Sequence, residues 1–386
     1  MIPQTSPAPA APTLLDPALH VVAVRHHRHL APLKRPFVTA ARRTEAVHYV
    51  VAEVELADGT VGQGSSAETV AVTGESADSI AACLTGPLRG ALEGADGHLA
   101  ELSRRIATAV PGSTSAKASL DVALHDAAAR VERLPLVELL GGHSCGHLTN
   151  DMTISLEDPA VMASRAAEAV AGGEQILKIK LGQDIEQDRR RLDAVMEAAP
   201  QATLRLDANQ GWKAAEAISI ISGFERDGLP IELVEQPVPA GDIAGLARVR
   251  AEVATPVMAD EAVWSAEDAR RIVDAGAADL LNIKLAKTGG LRGALAVADV
   301  ALEAGIACMV GSMMEPRISI TAAAHLAFAH PAIALIDLDP PAWFTSTAPS
   351  GGYRQRGAEL ELVGGPGLGL AMLAPTQDAE GTGGDT

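Results

Sequence analysis

Three short apolar runs of this 386-residue chain each end in an acidic residue, and they follow one another at similar intervals. They are Leu204-Arg205-Leu206-Asp207, Ile231-Glu232-Leu233-Val234-Glu235 and Pro256-Val257-Met258-Ala259-Asp260. Two further runs flank them and end in lysine: Ile176-Leu177-Lys178-Ile179-Lys180 before, and Leu280-Leu281-Asn282-Ile283-Lys284 after. Carboxylates on successive strands can supply oxygen ligands to Mg²⁺, which leaves positions open for substrate oxygens. With a lysine on either side, such a site can remove a proton next to a carboxylate from one face and return one from the other. That proton is very weakly acidic, and a positioned base contributes only about 10²- to 10⁴-fold in rate. The cation must therefore stabilise the enediolate where charge develops.

The competing account makes Asp207, Glu235 and Asp260 helix caps or loop ion pairs. With 49 acidic residues in the chain, three preselected strand ends would all be acidic by chance about once in 500, and the lysines lengthen those odds. A lysine base must be neutral part of the time near pH 7, which burial and a neighbouring cation can arrange. Lys178 is placed to be that cation for Lys180, because residues two apart on a strand point to one side.

The elements that must position these residues are legible in the same pattern. From about Asp151 to Asp339, strand, loop and helix repeat every 25 to 30 residues, the size of a βα unit. Eight strand candidates are Met152 to Leu156, Ile176 to Lys180, Thr203 to Asp207, Ile231 to Glu235, Pro256 to Asp260, Leu280 to Lys284, Ala307 to Gly311 and Ile333 to Asp339. Their near-continuous apolar character suits parallel strands buried on both faces, and a closed parallel barrel fits best. Its chemistry would collect at the C-terminal strand ends, where all five residues lie. Ahead of it, alternating runs from Val21 to Glu68, with a turn at Ala57-Asp58-Gly59-Thr60, read as antiparallel strands, and residues 76 to 133 read as helices.

The net charge of −18 argues against a nucleic-acid or anionic-membrane partner. No run reaches the roughly 18 to 20 apolar residues of a membrane span, and the start lacks a signal-peptide pattern, so the expected location is the cytoplasm. Cys83, Cys145 and Cys308 suggest neither disulfides nor zinc and are expected to be buried small residues. Residues 1–16 and 376–386 are expected to lack fixed structure.

Together, Leu177-Lys178-Ile179-Lys180, Leu206-Asp207-Ala208-Asn209-Gln210-Gly211-Trp212, Val234-Glu235-Gln236-Pro237, Met258-Ala259-Asp260-Glu261 and Asn282-Ile283-Lys284 resemble the muconate lactonizing enzyme subgroup of the enolase superfamily, from about Leu30 to Leu370. The resemblance implies an α/β architecture: a (β/α)7β TIM-like barrel (146–342), an α+β capping domain (17–145) and a C-terminal segment (343–375) returning to that domain. It implies one Mg²⁺ on Asp207, Glu235 and Asp260, Lys180 and Lys284 as opposed acid/base residues, and a homo-oligomer. The use of Lys or His bases with Mg²⁺ in this superfamily is a known solution.

Within the subgroup the chain looks most like the dipeptide epimerases, of which L-Ala-D/L-Glu epimerase is the best-known activity. Ile336-Asp337-Leu338-Asp339-Pro340 matches an Asp-x-Asp motif for the substrate's α-ammonium group, and two carboxylates at i and i+2 on a strand do form a cation pocket. Val72-Thr73-Gly74-Glu75-Ser76 resembles those enzymes' Thr-Gly-Glu segment. Arg35-Pro36-Phe37-Val38-Thr39-Ala40-Ala41-Arg42 resembles their capping loop, which implies that Arg42 grips an acidic side chain of the C-terminal residue. Thr153, Ser312, Met313 and Met314 are expected to line the substrate. Two departures stand out: Gly62-Gln63-Gly64-Ser65-Ser66 replaces the usual Gly-x-Gly-Glu-Ala beside the site's mouth, and Pro316 follows Glu315 where a small polar residue is usual.

The function expected is epimerisation of the C-terminal residue of a dipeptide by two-base proton transfer, with L-Ala-D/L-Glu as the best guess. The alternatives are an o-succinylbenzoate synthase, a cycloisomerase or an N-acylamino acid racemase, none of which needs an ammonium pocket. The Asp337 and Asp339 pair is what separates them. Acid-sugar dehydratases usually carry histidine at the position of Lys284.

Overall fold

The computed structural model of the chain describes residues 11–38, 43–181 and 184–375. The first layer is an antiparallel sheet in the order β3-β2-β1-β4, built from β1 (Ala18–Val38), β2 (Arg43–Leu56), β3 (Val61–Ala67) and β4 (Asp96–His98). The predicted turn closes the β2–β3 hairpin: Leu56 N donates to Thr60 O at 2.8 Å, and Gly59 takes φ +85°, which an L side chain resists. The helix Thr114–Val131 lies directly on β3. Its close approach needs the two glycines there, since a Cβ on Gly62 or Gly64 would meet helix backbone at 2.2 or 2.1 Å.

The second layer is an eight-stranded parallel sheet whose strands follow in sequence order. They are β6 (Met152–Ile154), β7 (Ile176–Lys180), β8 (Thr203–Asp207), β9 (Ile231–Glu235), β10 (Val257–Ala259), β11 (Leu280–Ile283), β12 (Ala307–Val310) and β13 (Ile333–Ile336), preceded by the short β5 (Leu148–Thr149). A helix follows each of the first seven, from Pro159–Ala171 to Arg317–Ala329. Several start at the side-chain caps that their sequences offer: Asp184, Asp242 and Ser265 each accept from first-turn N–H groups. This is the curled (β/α)7β sheet that the family resemblance implied, whereas the closed barrel read from the repeat is not completed by backbone hydrogen bonds among the described residues. Among the described residues no ladder joins β13 to β6, and side chains bridge that seam instead. Asn150 Oδ1 accepts from Leu338 N at 2.8 Å, and Asp339 Oδ2 accepts from Thr153 N at 2.8 Å.

The C-terminal segment first forms a hairpin, β14 (Tyr353–Arg356) and β15 (Glu359–Leu362), which extends β5. It then runs along the N-terminal layer, where Leu368 N reaches Asp126 Oδ1 at 2.7 Å and Gln63 Nε2 reaches Ala371 O at 2.8 Å. Three expectations need correction. Fixed contacts begin before residue 17, since Leu15 N donates to Leu139 O and Asp16 Oδ1 accepts from Ala100 N. Cys83 and Cys308 are buried but Cys145 is exposed. Ser65 does not line the site's mouth; it is buried against the helix Arg317–Ala329, with its Oγ 2.7 Å from Ser319 Oγ.

Candidate active site

Strand register places the predicted residues side by side. Lys180 pairs with Asp207 and Asp207 with Glu235, while Met258, two residues before Asp260, also pairs with Glu235. Asp260 directly follows β10, and Lys284 follows β11 at the start of the short helix Leu285–Thr288. Around the sheet the order is Lys180, Asp207, Glu235, Asp260, Lys284, so the two lysines flank the three carboxylates. Asp337 and Asp339 follow β13, next to β12 on one side and the seam with β6 on the other.

All three carboxylates are fully buried, and the ammonium groups compensate them. Lys180 Nζ lies 2.5 Å from Asp207 Oδ2. Lys178 Nζ sits 2.6 Å from Glu235 Oε2, 2.7 Å from Asp337 Oδ2 and 3.5 Å from Asp207 Oδ2. Lys178 and Lys180 therefore do share the interior face, but Lys178 is ringed by carboxylates. Lys284 Nζ lies 2.7 Å from Asp260 Oδ2.

These pairings set the proton affinities. Burial opposes charge on Lys284, but the carboxylates of Asp260 and Glu235 outweigh it and raise its pKa; Lys178 is raised in the same way by Asp337 and Glu235. Burial would raise Asp260 and Asp337, yet their lysine partners hold Asp260 well below the usual range and Asp337 at about 2. Burial and the nearby Asp207 push Glu235 up to about 7; burial and Asp337 push Asp339 up to about 6.

The cavity enclosed here has a volume of about 560 Å³ and is lined by six of the site's charged side chains from the barrel, by Asp339 and Glu261, and by Phe37, Ala71 and Val72 of the N-terminal layer. Thr153, Ser312, Met313 and Met314 line it as expected. Arg42 lies outside the described residues. The Thr-Gly-Glu segment divides its work: Val72 faces the cavity, whereas Glu75 accepts from Ser115 N at 2.8 Å and Ala116 N at 3.1 Å, capping the helix Thr114–Val131.

Four participants were not singled out from sequence. Lys287 Nζ, fully buried, binds the Asp260 carboxylate, Asp260 O at 2.5 Å and Asn282 O at 3.1 Å. Asn282 Nδ2 donates to Glu235 Oε1 at 2.8 Å. Asn209 Nδ2 donates to Glu261 Oε1 at 3.3 Å, inside stretches read only as motif. Arg205, also fully buried, binds Asp151 Oδ2 at 2.8 Å and Glu232 Oε2 at 2.6 Å. Lys287 stands three residues after Lys284, a spacing that puts both on one face of a helical turn and was the available signal.

The donor set suits a hard divalent cation. Asp207, Glu235, Asp260, Glu261, Asp337 and Asp339 bring six carboxyl groups against the four ammonium groups of Lys178, Lys180, Lys284 and Lys287. Carboxyl groups outnumber the ammonium groups beside them, an acidic excess that a bound cation would relieve. Glu235 Oε2 has no hydrogen-bond donor, because Lys178 approaches it at ion-pair distance but off the bonding direction. Among the described residues, no three His, Cys, Asp or Glu side chains enclose a metal-sized space as they stand; Lys178 lies between the carboxylates.

Residues 21–141 match the model for the mandelate racemase / muconate lactonizing enzyme N-terminal domain, and residues 161–375 match the enolase C-terminal domain-like model. The chain belongs to the mandelate racemase / muconate lactonizing enzyme family of the enolase superfamily.

Among its relatives is the L-Ala-D/L-Glu epimerase of Clostridium acetobutylicum, 41% identical over 345 residues that cover 89% of this chain and 96% of that protein. A substrate-liganded structure of the L-Ala-D/L-Glu epimerase from Bacillus subtilis superposes with a TM-score of 0.88 at 38% identity, covering 91% of this chain and 99% of that one. The dipeptide epimerase from Enterococcus faecalis, solved with Mg and L-Leu-L-Tyr, gives a TM-score of 0.84 at 34% identity over 92% of this chain and all of that one.

Proposed function

We propose that the chain is a Mg²⁺-dependent dipeptide epimerase that inverts the α-carbon of the C-terminal residue, with L-Ala-D/L-Glu as the leading substrate pair. The observation that carries this reading is the order of side chains along the C-terminal edge of the sheet, with one lysine on each side of a trio of buried carboxylates, of which Asp260 lines the cavity. Asp207, Glu235 and Asp260 would hold Mg²⁺, which supplies positive charge where negative charge develops on the substrate carboxylate.

The other work falls to side chains. Lys180 and Lys284 take and return the α-proton on opposite faces, which interconverts the two configurations. Lys178, fully buried and lining the cavity, stabilises the negative charge that proton loss creates. The pairs that now raise Lys284 weaken once Asp260 and Glu235 are otherwise neutralised, which brings its proton into play. Asp337 and Asp339 receive the N-terminal ammonium, and an arriving cation gives Asp339 the countercharge it lacks. Thr153, Ser312, Met313 and Met314 line the substrate, and Arg42 would meet an acidic side chain.

The ammonium clamp and the epimerase relatives favour a free dipeptide over the o-succinylbenzoate, cycloisomerase and N-acylamino acid readings. The proposal includes the division into a capping domain (17–145), a barrel (146–342) and a returning segment (343–375), and a cytoplasmic homo-oligomer acting on a small molecule. The charge of −18 speaks against a nucleic-acid or anionic-membrane partner, and no described helix is long and apolar enough to cross a membrane.

Incubation with Mg²⁺ and a library of L,L-dipeptides in D₂O tests the reading. Mass gain at Cα with a new L,D product is the expected result. No exchange across the library, with exchange on N-acylamino acids, would replace it.

A further inference from the structure

A second cavity, of about 420 Å³, lies between the end of β1, strand β6, the helix Pro159–Ala171 and the short helix Pro340–Trp343. Its walls carry three cations, Lys34, Arg35 and Arg165, with Met152 and Trp343 as the apolar surface. In a chain of net charge −18 this local excess is unexpected.

Among the described residues one carboxylate answers the three. Glu168 receives Arg165 Nη1 at 2.9 Å and Arg35 Nη1 at 3.2 Å. Lys34 Nζ has only a neutral partner, Ala342 O at 2.8 Å. Arg165 Nε is sealed from solvent and has no hydrogen-bond partner, which is costly for a guanidinium N–H. Arg35 lies over Trp343, with its Cζ 5.1 Å from the ring centroid, a cation–π contact that helps to hold it at the cavity wall. Among the described residues two positive charges thus have no carboxylate of their own, in groups that four separate elements bring together. Like charges gathered in one cavity repel, weakly where water screens them, and a bound anion would relieve that repulsion.

We propose that this cavity is a binding site for a small oxyanion, a phosphate or a carboxylate, gripped by Arg35 and Arg165 and neutralised further by Lys34. Guanidinium forks match the planar or tetrahedral oxygens of either group. The site backs onto the active cavity through one residue. Trp343 Nε1 donates to Asp339 Oδ2 at 3.1 Å, and the Trp343 ring packs edge-on against Phe37, which lines the active cavity. An anion here would therefore bear on the wall that positions Asp339.

The test is thermal unfolding and calorimetric titration of the Mg²⁺-loaded full chain at constant ionic strength, with inorganic phosphate in one arm, succinate in a second and chloride as the control. The expected result is a saturable rise in Tm and a saturable heat with phosphate, succinate or both; the arm that responds identifies the source of the oxyanion. Lys34→Gln and Arg165→Gln should lose at least about tenfold in that affinity. In chloride alone, their Tm should stay level or rise as repulsion is relieved, which a merely structural role would not produce. Responses equal to chloride in both arms, or unchanged anion affinity in both variants, would overturn the proposal.

Discussion

Lys284 Nζ lies 2.7 Å from Asp260 Oδ2, so a proposed acid/base group and a proposed metal ligand are hydrogen-bonded to each other. The pair ties the proton affinity of one to whatever else the other binds. Lys284→Ala should stop Cα exchange from one face and lower epimerisation by roughly 10²- to 10⁴-fold, the range of a positioned base. Lys180 should still exchange the proton of one configuration. Following deuterium uptake separately from the L,L and L,D diastereomers checks this, and full epimerisation by the variant would rule out two-base transfer.

Lys287 presses on the same carboxylate from within the barrel wall, binding Asp260 through its side chain and its carbonyl. Lys287→Met removes a buried countercharge and should cost roughly 3 to 5 kcal/mol in metal-free protein. A divalent ion on Asp260 would restore part of that. The Mg²⁺-induced rise in Tm should accordingly be larger in Lys287→Met than in the natural chain, and an equal or smaller rise would show that Asp260 does not take part in holding the ion.

His325 gives the pH dependence away from the carboxylates. It is fully buried, and its Nδ1 accepts from Val137 N at 3.0 Å, so that nitrogen carries no proton. Burial lowers its pKa from 6.5 to about 4 in the folded chain. Between these values the unfolded chain binds the extra proton, so stability is complete above about pH 6.5 and falls as pH drops toward 4. The loss reaches about 3 kcal/mol for the full interval. Urea unfolding at pH 7 and pH 5 measures it, and His325→Asn, which keeps an acceptor but cannot titrate in this range, should reduce the difference by that share, leaving the part that His29, also lowered to about 4 by burial, contributes.

The barrel strands were legible because each is a largely apolar run at a regular interval, six of the eight closed by a charged residue, and the observed strands fall within the runs read from sequence. Lys178 and Lys180, two apart, were correctly placed on one face. What escaped was set by tertiary closure. Arg205 was not singled out; it stands two residues before Asp207 on the same inward face, and only closure of the curled sheet brings it to Asp151 and Glu232. The seam between β13 and β6 is held by Asn150 and Asp339 side chains, and no local pattern encodes a missing ladder. The family resemblance set the stretch around Ser65 beside the site's mouth; its strand face turns Ser65 to Ser319 instead.

Gly64 shows how closely the N-terminal layer is fitted. A Cβ there would lie 2.1 Å from Ser119 O and 2.7 Å from Ala123 N, both backbone atoms of the helix Thr114–Val131. Gly64→Ala must push that helix off the sheet and should destabilise the chain by roughly 1 to 3 kcal/mol or more. Urea denaturation checks it. A loss below about 0.5 kcal/mol, the scale of a neutral surface change, would contradict the packing.

Asp339 decides between a free dipeptide and an N-acylated substrate. Its Oδ2 is already held by Thr153 N and Trp343 Nε1, which fixes the carboxyl without neutralising it, while Lys178 attends to Asp337 instead. Asp339→Asn keeps an acceptor for both donors but removes the charge that an ammonium group would meet. For a free dipeptide, kcat/KM should fall by roughly tenfold or more, the scale of one charge-assisted hydrogen bond. For the N-acetyl form of the same dipeptide the charge has no partner to lose, so Cα exchange in D₂O, however slow, should be unchanged or faster. Equal losses on both substrates would mean that Asp339 serves the barrel seam alone, and the ammonium would then have to be held by Asp337.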